Sequence, residues 1–443
     1  MYPPKPSYDV IITDIDHEGR GVGRLDNGKT VFVPGTLPGE TVRINIKKDK
    51  PSFSLGYLLK VVKSSNQRVT PLCSHFNVCG GCSLQHLHPD AQVAIKQRSL
   101  EETLARIGNV RPDHLLTPIY GPSWGYRKRA RLSVHYLVEK DSMQIGFRRK
   151  NSIFILGLDE CHVLPPEVST LLPNLAKLLH GISIRDRIPQ IEVAVPTTNE
   201  SNKRIVLVLR ILNPLSDADL LMLRNFADHY PVQWWLQTKG PETVTAYYPL
   251  ENRLAYSLPD FGLEYDYYPT EFTQVNSQMN QVMVRKAIQL LDPKPGELIF
   301  DFFCGLGNFT LPIARQGAHV LGLEGSADLV KRAQANAALH QLHQLARFER
   351  LNLFEVKEED FQRWGTPAGA VLDPPRDGAF ELVKNLPSEG YSRLVYISCN
   401  PATLARDASI LVHKKGYTLE SAGVMNMFPH TTHTESIAVF RRM

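Results

Sequence analysis

Four stretches of the chain hold side chains able to do chemistry together: Tyr396-Ile397-Ser398-Cys399-Asn400-Pro401, Asp373-Pro374-Pro375, Asp301-Phe302-Phe303-Cys304-Gly305-Leu306-Gly307-Asn308-Phe309, and Glu435. Cys399 follows a short apolar, β-prone run at 394–397. Pro401 cannot continue a strand, and from Ala402 the pattern turns to helical spacing. A thiol at such a junction can face a ligand, and a helix N-terminus beside it favours the thiolate. Cysteine is also a common core residue, so the neighbouring carboxylates decide the reading. The four stretches are expected to form one active site.

The elements that would bring them together follow a regular α/β pattern from about residue 271 onward. Gln274-Val275-Asn276 precedes a helix expected over 277–291. A strand at 298–303 leads through Gly305-Leu306-Gly307 into a helix at 309–316, and a second strand, 319–323, ends at Glu324. An acidic residue in that place holds a ribose diol in Rossmann-like folds. The loop lacks both Gly-x-Gly-x-x-Gly and a Gly-Lys-Ser/Thr ending, so it serves a pyrophosphate poorly. A nucleoside without phosphates fits it better, which points to S-adenosylmethionine. Leu351-Asn352-Leu353 follows a third strand, Asp373 ends a fourth, and Cys399 a fifth; 436–440 is one of the last. Ligands collect at the carboxyl ends of such strands, where these polar residues fall.

The first part of the chain reads differently. Short β-prone runs at 10–12, 31–33, 42–46 and 57–62 are broken by Asp26-Asn27-Gly28 and Pro38-Gly39, with no helical periodicity. About five strands in roughly sixty residues suit a small closed barrel of the oligonucleotide-binding kind. Gly19-Arg20-Gly21-Val22-Gly23 runs into another strand rather than opening a helix, so its glycines are expected to serve a hairpin and not a phosphate. Cys73, Cys79 and Cys82 follow, with Gly80-Gly81 letting the backbone wrap closely, and Cys161 can supply a fourth ligand. Four thiolates fit a structural zinc or a 4Fe-4S cluster, and the spacing leaves both open; His75, His86 or His162 could replace a cysteine at zinc.

Residues 89–107 have helical spacing with a stop at Gly108, and this helix is expected to pack on a neighbouring domain. Trp124-Gly125-Tyr126-Arg127-Lys128-Arg129-Ala130-Arg131-Leu132 and Phe147-Arg148-Arg149-Lys150 bracket a hairpin-like segment with eight basic and two acidic residues. Basic side chains among aromatics suit phosphate contact and base stacking. From 163 to 265 helices and strands alternate, with strands expected at 191–195, 205–209 and around Trp234-Trp235, and no chemistry is evident.

A chain of 443 residues can hold two or three domains with sizeable cores. Its net charge is only +5, yet residues 1–160 hold 23 Lys and Arg against 15 Asp and Glu, while the rest holds 27 against 30. The basic excess on the N-terminal side suits a polyanion such as RNA. No apolar run approaches the length of a membrane helix, and Met1-Tyr2-Pro3-Pro4-Lys5-Pro6 does not open a signal peptide, so a cytoplasmic location is expected. Six cysteines are few for a disulfide scaffold and suit a metal or a reactive thiol.

Taken together, Asp301-x-x-Cys304-Gly305-x-Gly307-x-Phe309, Asp373-Pro374-Pro375-Arg376, Ser398-Cys399-Asn400-Pro401-x-Thr403 and Phe428-Pro429-His430-Thr431-x-His433-x-Glu435 resemble the RNA uracil-C5 methyltransferases. The barrel resembles a TRAM domain, and the four-cysteine pattern resembles the iron-sulfur site of the branch that acts on 23S ribosomal RNA. The resemblance covers nearly the whole chain and implies three units. These are an all-β, OB-like TRAM barrel for RNA at 1–66, a central α+β domain carrying the cluster and the basic segment at 67–270, and an α/β, Rossmann-like S-adenosylmethionine-dependent methyltransferase domain at 271–443.

The activity so implied is methyl transfer from S-adenosylmethionine to C5 of a uridine in 23S ribosomal RNA by a monomeric enzyme. Cys399 would be the nucleophile that adds to C6 and Glu435 the base that removes the C5 proton. Gln274, Phe303, Asn308, Glu324, Asn352 and Asp373 would surround the cofactor or the target base, and Cys73, Cys79, Cys82 and Cys161 would hold a 4Fe-4S cluster. Cys304 is expected to be structural, and His430 and His433 to shape the loop bearing Glu435. The target nucleotide must be flipped out or presented from a loop. A transfer-RNA uracil methyltransferase, or one acting at another ribosomal uracil, would share the catalytic half. An amino-methylase could use Asp373-Pro374-Pro375 but has no need of Cys399. A non-enzymatic iron-sulfur RNA-binding protein would show no methyl transfer.

Overall fold

Alternating burial builds the first unit. In strand β1 (Ser7–Ile15) Val10 and Ile12 are buried and their neighbours are not; β2 (Arg20–Arg24), β3 (Thr30–Pro34), β4 (Thr41–Asp49) and β5 (Phe53–Lys63) repeat the pattern. The five close into a barrel in the order β1-β2-β3-β5-β4 around Val10, Ile12, Val31, Val33, Val42 and Ile44. So small an interior explains the glycines of β2, which pairs with β1 and β3 as the hairpin reading requires. A Cβ at Gly21 would lie 2.0 Å from the Thr36 Oγ1, and one at Gly23 would lie 2.4 Å from Val10. The computed structural model describes residues 6–198, 204–251, 253–387 and 389–442, so Met1-Tyr2-Pro3-Pro4-Lys5, read above for a signal peptide, lies outside the described residues.

Helix α1 (Pro89–Thr103) starts on a proline and continues into a π-helical turn, Leu104–Gly108. Its apolar side does join another unit: Val93, Leu100 and Leu104 pack with Phe300, Leu372 and Leu404. A short strand, β6 (His114–Leu115), then pairs with a strand near the C-terminus. The segment just after the cysteine loop is thus built into the C-terminal half.

The middle of the chain forms β7 (Arg129–Leu137), β8 (Ser142–Arg148), β9 (Ile155–Gly157), β10 (Gln190–Ala194), β11 (Ile205–Arg210), β12 (Val232–Gln237) and β13 (Thr245–Tyr248). They make a mixed sheet in the order β13-β12-β11-β10-β7-β8-β9. Helices Leu172–Gly181 and Asp217–His229 lend it Leu175, Leu179, Leu223 and Phe226 as core. The basic segment is the β7–β8 hairpin, as its pattern indicates. A second hairpin, β14 (Ala255–Leu258) with β15 (Leu263–Asp266), puts Tyr256 and Tyr265 into the C-terminal core instead.

That core belongs to an eight-stranded sheet. Its strands are β6, β16 (Leu298–Phe302), β17 (His319–Glu324), β18 (Ala346–Arg350), β19 (Gly369–Leu372), β20 (Arg393–Ser398), β21 (Thr418–Met425) and β22 (Glu435–Arg441), in the order β18-β17-β16-β19-β20-β22-β21-β6. Strands β16 to β20 are parallel and covered on both faces: Leu394 and Tyr396 enter one core, Val395 and Ile397 the other. The strand order reverses between β16 and β19, the place where open α/β sheets leave a crevice at the strand ends. β22 runs antiparallel to β20.

Candidate active site

The register of β20 and β22 sets the centre of the site. Ser398 pairs with Ser436, so the next residue of one strand, Cys399, meets the preceding residue of the other, Glu435. The chain turns there because Asn400 caps the helix Pro401–Lys415, its Oδ1 accepting from the Ala402 N–H at 3.1 Å, with Pro401 at the first helical position. Asn400 Nδ2 also donates to the Arg376 carbonyl at 3.0 Å, and Arg376 meets His433 Nδ1 at 2.7 Å. These contacts tie the Asp373-Pro374-Pro375-Arg376 loop to the segments bearing Cys399 and Glu435.

A cavity of about 830 Å³ opens at the strand ends, and Gln274, Phe303, Asn308, Glu324, Asn352, Asp373, Cys399 and Glu435 all line it. Glu324 is fixed by two backbone donors, Gly305 N–H at 3.1 Å and Ser326 N–H at 2.9 Å. Phe303 turns the chain through a positive φ of 65° and donates its N–H to the Leu323 carbonyl. Asn308 and Asn280 exchange amide hydrogen bonds at 3.0 Å, and the Tyr256 hydroxyl donates to the same Asn308 oxygen. Asn352 Oδ1 caps its own turn through the Phe354 N–H. Cys304 also reaches the cavity wall but is 3% exposed.

Electrostatics corrects one expectation. A helix end beside Cys399 favours its thiolate, yet burial, with the Glu435 and Asp373 carboxylates next, pushes the thiol up to about 11 against a smaller opposing effect of Arg376. At pH 7 such a thiol is ionised about once in 10⁴ molecules. The carboxylates shift the same way. Burial pushes Asp373 up to about 7 and holds Glu435 well above the usual carboxylate range. Cys304 is also raised, first by burial.

Asp301 stands beneath the loop with no exposure. It accepts from Thr310 Oγ1 at 2.5 Å, its other oxygen has no partner, and burial pushes it up to about 7. Its folded pKa lies above the unfolded value, so between pH 4 and 7 the folded chain holds the extra proton and stability falls as pH rises. Asp301→Asn keeps an acceptor and removes that proton. In urea unfolding the variant is expected to lose less stability than the wild type between pH 5 and pH 8, by on the order of 1–4 kcal/mol. Equal pH slopes for both would refute it.

His430 braces the loop and is poorly placed to move a proton. It stacks on Trp124 with ring centroids 3.8 Å apart, takes the left-handed region at φ 64°, and donates its N–H to Gln92 Oε1 at 2.7 Å. Its carbonyl accepts from Ser83 and Leu84, which ties the cysteine loop to the loop before Glu435. Burial brings it down to about 4, so it stays neutral at pH 7. His433 is exposed at the cavity wall.

The basic segment is used differently from its sequence reading. Trp124 is engaged by His430, Tyr126 is buried with its hydroxyl donating to the Pro429 carbonyl, and Arg129 donates to the Glu271 and Pro269 carbonyls. These three hold the middle sheet to the catalytic half. Arg131, Arg148 and Arg149 remain exposed. Tyr126, Arg127 and Phe147 do reach the cavity wall, as does Phe272, 70% exposed.

Cys73, Cys79, Cys82 and Cys161 are all free thiols, and none of them lines this cavity, although Gly81 of their loop does. Gly80 lets their loop close, since a Cβ there would lie 2.9 Å from the Arg148 carbonyl oxygen, and the Gly81 N–H donates to Cys79 Sγ at 3.4 Å. Burial pushes Cys82 up to about 12 and Cys161 up to about 11, and charge on the other cysteines adds to both. Among the described residues, however, no group of three or more His, Cys, Asp or Glu side chains is arranged to hold a metal ion.

A parallel sheet with its crevice at the order reversal, an acidic residue closing the second strand and a small closed barrel define an S-adenosylmethionine-dependent methyltransferase fold with an N-terminal TRAM domain. The TRAM domain profile matches residues 7–59. The profile described as tRNA (Uracil-5-)-methyltransferase matches residues 90–443, and the chain belongs to that family. The chain is 54% identical over 435 residues to "23S rRNA (uracil(1939)-C(5))-methyltransferase RlmD" of Thiobacillus denitrificans, covering 98% of this chain and 99% of the relative. A protein of the same name from Cupriavidus pinatubonensis is 50% identical over 445 residues, with 98% and 95% covered. Among solved structures, the tRNA (uracil-54, C5)-methyltransferase of Pyrococcus abyssi in complex with S-adenosyl-L-homocysteine matches with a TM-score of 0.73 and 25% identity over 98% of this chain and 100% of that one.

Proposed function

We propose that the chain methylates C5 of a uridine in 23S ribosomal RNA, with S-adenosylmethionine as methyl donor. The observation that carries this is the convergence of Cys399 and Glu435 across β20 and β22 in a cavity shared with Glu324, Asn308 and Asp373. The 54% identical relative, named for that activity along its whole length, supports the choice of RNA. C5 of uracil is too weak a nucleophile to attack a sulfonium. Addition of the Cys399 thiolate at C6 pushes an electron pair toward C5, which takes the methyl group from the sulfonium as its S–CH3 bond breaks and S-adenosylhomocysteine is left; Glu435 then removes the C5 proton, the C5=C6 bond re-forms and the thiolate leaves.

Glu324 suits the ribose hydroxyls, and Gln274, Phe303, Asn308, Asn352 and Asp373 complete the wall around donor and base. The positive sulfonium enters a cavity whose carboxylates oppose thiolate formation, so donor binding favours the ionised Cys399. An amino-methylase would leave the Cys399 and Glu435 pairing without a task.

The units read as 1–66 for the barrel, 67–270 for the middle and 271–443 for methyl transfer, with α1 and β6 of the middle stretch built into the last. Exposed Arg131, Arg148 and Arg149 suit the RNA backbone. Cys73, Cys79, Cys82 and Cys161 would hold a 4Fe-4S cluster. Supporting this, four unpaired thiols on two loops feel one another's charge, and Lys150 is the cation among the charges that reach Cys73. The cluster would supply iron–sulfur bonds joining the 73–82 loop to Cys161. Among the described residues no helix is long and apolar enough to cross a membrane, and a cytoplasmic monomer is the simplest form for this activity.

Methyl-labelled S-adenosylmethionine is expected to label 23S ribosomal RNA transcripts and not transfer RNA. Transfer to tRNA alone would move the assignment to the other substrate. Anaerobically purified protein is expected to contain iron and sulfide, and one tight zinc with no iron would overturn the cluster.

A further inference from the structure

A lysine that no sequence motif singles out stands behind the base. Lys96 on α1 is 2% exposed, and its Nζ donates to Asn426 Oδ1 and to the Phe428 carbonyl, each at 2.9 Å. Asn426 and Phe428 begin the connection from β21 to β22, and that connection ends at Glu435. Glu435 is 3% exposed and lines the cavity, and its carboxyl takes no hydrogen bond from a described residue. The charges that reach it are Asp373, which opposes its ionisation, and Lys96, which favours it. Lys96 also borders a separate groove of about 520 Å³ between the barrel and α1, alongside Thr432 and Thr434.

We propose that Lys96 is a positioning residue for the proton-removal step: it clamps the loop leading to Glu435 and supplies the positive charge against which Glu435 ionises. This rests on the reading of Glu435 as the base. A buried carboxylate facing Asp373 is otherwise held as the acid, and a carboxylic acid cannot accept the C5 proton. In the step itself the C5–H bond breaks and its proton passes to Glu435. The electron pair becomes the C5=C6 bond, and the C6–S pair returns to Cys399. Lys96 touches none of these atoms. The groups facing it are Glu435 and, more weakly, His430 and His433, both of which are lowered from the usual histidine value. Burial brings the ammonium down to about 7, and Glu435 acts against that.

The test compares wild type, Lys96→Met and Lys96→Arg on uridine RNA and on 5-fluorouridine RNA, which cannot lose its C5 substituent as a proton. Lys96→Met is expected to form the 5-fluorouridine adduct at close to the wild-type rate. On uridine RNA it should release product about 10–100-fold more slowly and accumulate a denaturation-resistant, methylated protein–RNA adduct. The rising limb of its pH–rate profile should move to higher pH, because loss of the positive charge makes Glu435 harder to ionise. Lys96→Arg should keep the limb near its wild-type position. An unshifted limb, no accumulation on uridine, or loss of the 5-fluorouridine adduct in Lys96→Met would each overturn the proposal. Absence of that adduct in the wild type would instead overturn the covalent reading beneath it.

Discussion

Cys399→Ala is expected to lose methyl transfer by on the order of 10⁴–10⁶-fold and to form no covalent complex with 5-fluorouridine RNA, while Cys304→Ala forms it. Both thiols border the same cavity, and burial pushes both up, so ionisation alone does not separate them. Position does. Cys304 is 3% exposed beneath its own turn, with its sulfur close enough to Gly322 that a Cβ there would lie 3.0 Å away. Cys399 is half-buried at the open end of β20, opposite Glu435. The resting thiol near 11 also makes the free enzyme a poor target for iodoacetamide at pH 7, with reactivity still rising beyond pH 9. Added S-adenosylmethionine analogue carrying the sulfonium should raise the reactivity at pH 7. Methylation by Cys399→Ala at the wild-type rate would remove the nucleophile and most of the mechanism with it.

The catalytic half was legible because its chemistry and its folding signals coincide. Pro401 after Asn400, Glu324 at the end of β17 and Asp373 before two prolines each mark the end of a buried parallel strand, and strand ends are where such sheets bind ligands. The helix Ser277–Leu291 has the bounds its spacing indicates. What sequence hid is long-range. Lys96 reads as one more polar position on an amphipathic helix until α1 is seen lying against the loop before Glu435, more than 300 residues away. Tyr256 sits in a stretch without evident chemistry and reaches Asn308 only because its hairpin joins the catalytic core. Trp124 and Tyr126 have the composition of base-stacking residues, but His430 and Pro429 occupy them. At Cys399 the helix terminus is visible in sequence, whereas the burial that outweighs it is not.

Glu435→Gln is expected to separate the two halves of the reaction. Burial holds the Glu435 carboxyl well above the usual carboxylate range, and glutamine is close in shape to its neutral form, so the fold and the β20–β22 pairing should be retained. Cys399 loses one of the charges that raise its pKa, so its addition to C6 is not impaired. Methyl transfer can then occur once. The C5 proton has no acceptor, and turnover should fall about 10²–10⁴-fold while a methylated protein–RNA adduct builds up on ordinary uridine RNA, visible as a slow-migrating labelled band after denaturation. This block should exceed that of Lys96→Met, since the amide cannot take a proton at any pH and raising the pH should not rescue it. Asp373 is another carboxyl on the cavity wall, pushed up by burial to about 7, whereas Glu324 is held by the Gly305 and Ser326 backbone N–H groups. Product release by Glu435→Gln at the wild-type rate, with no adduct, would transfer the role of base to Asp373.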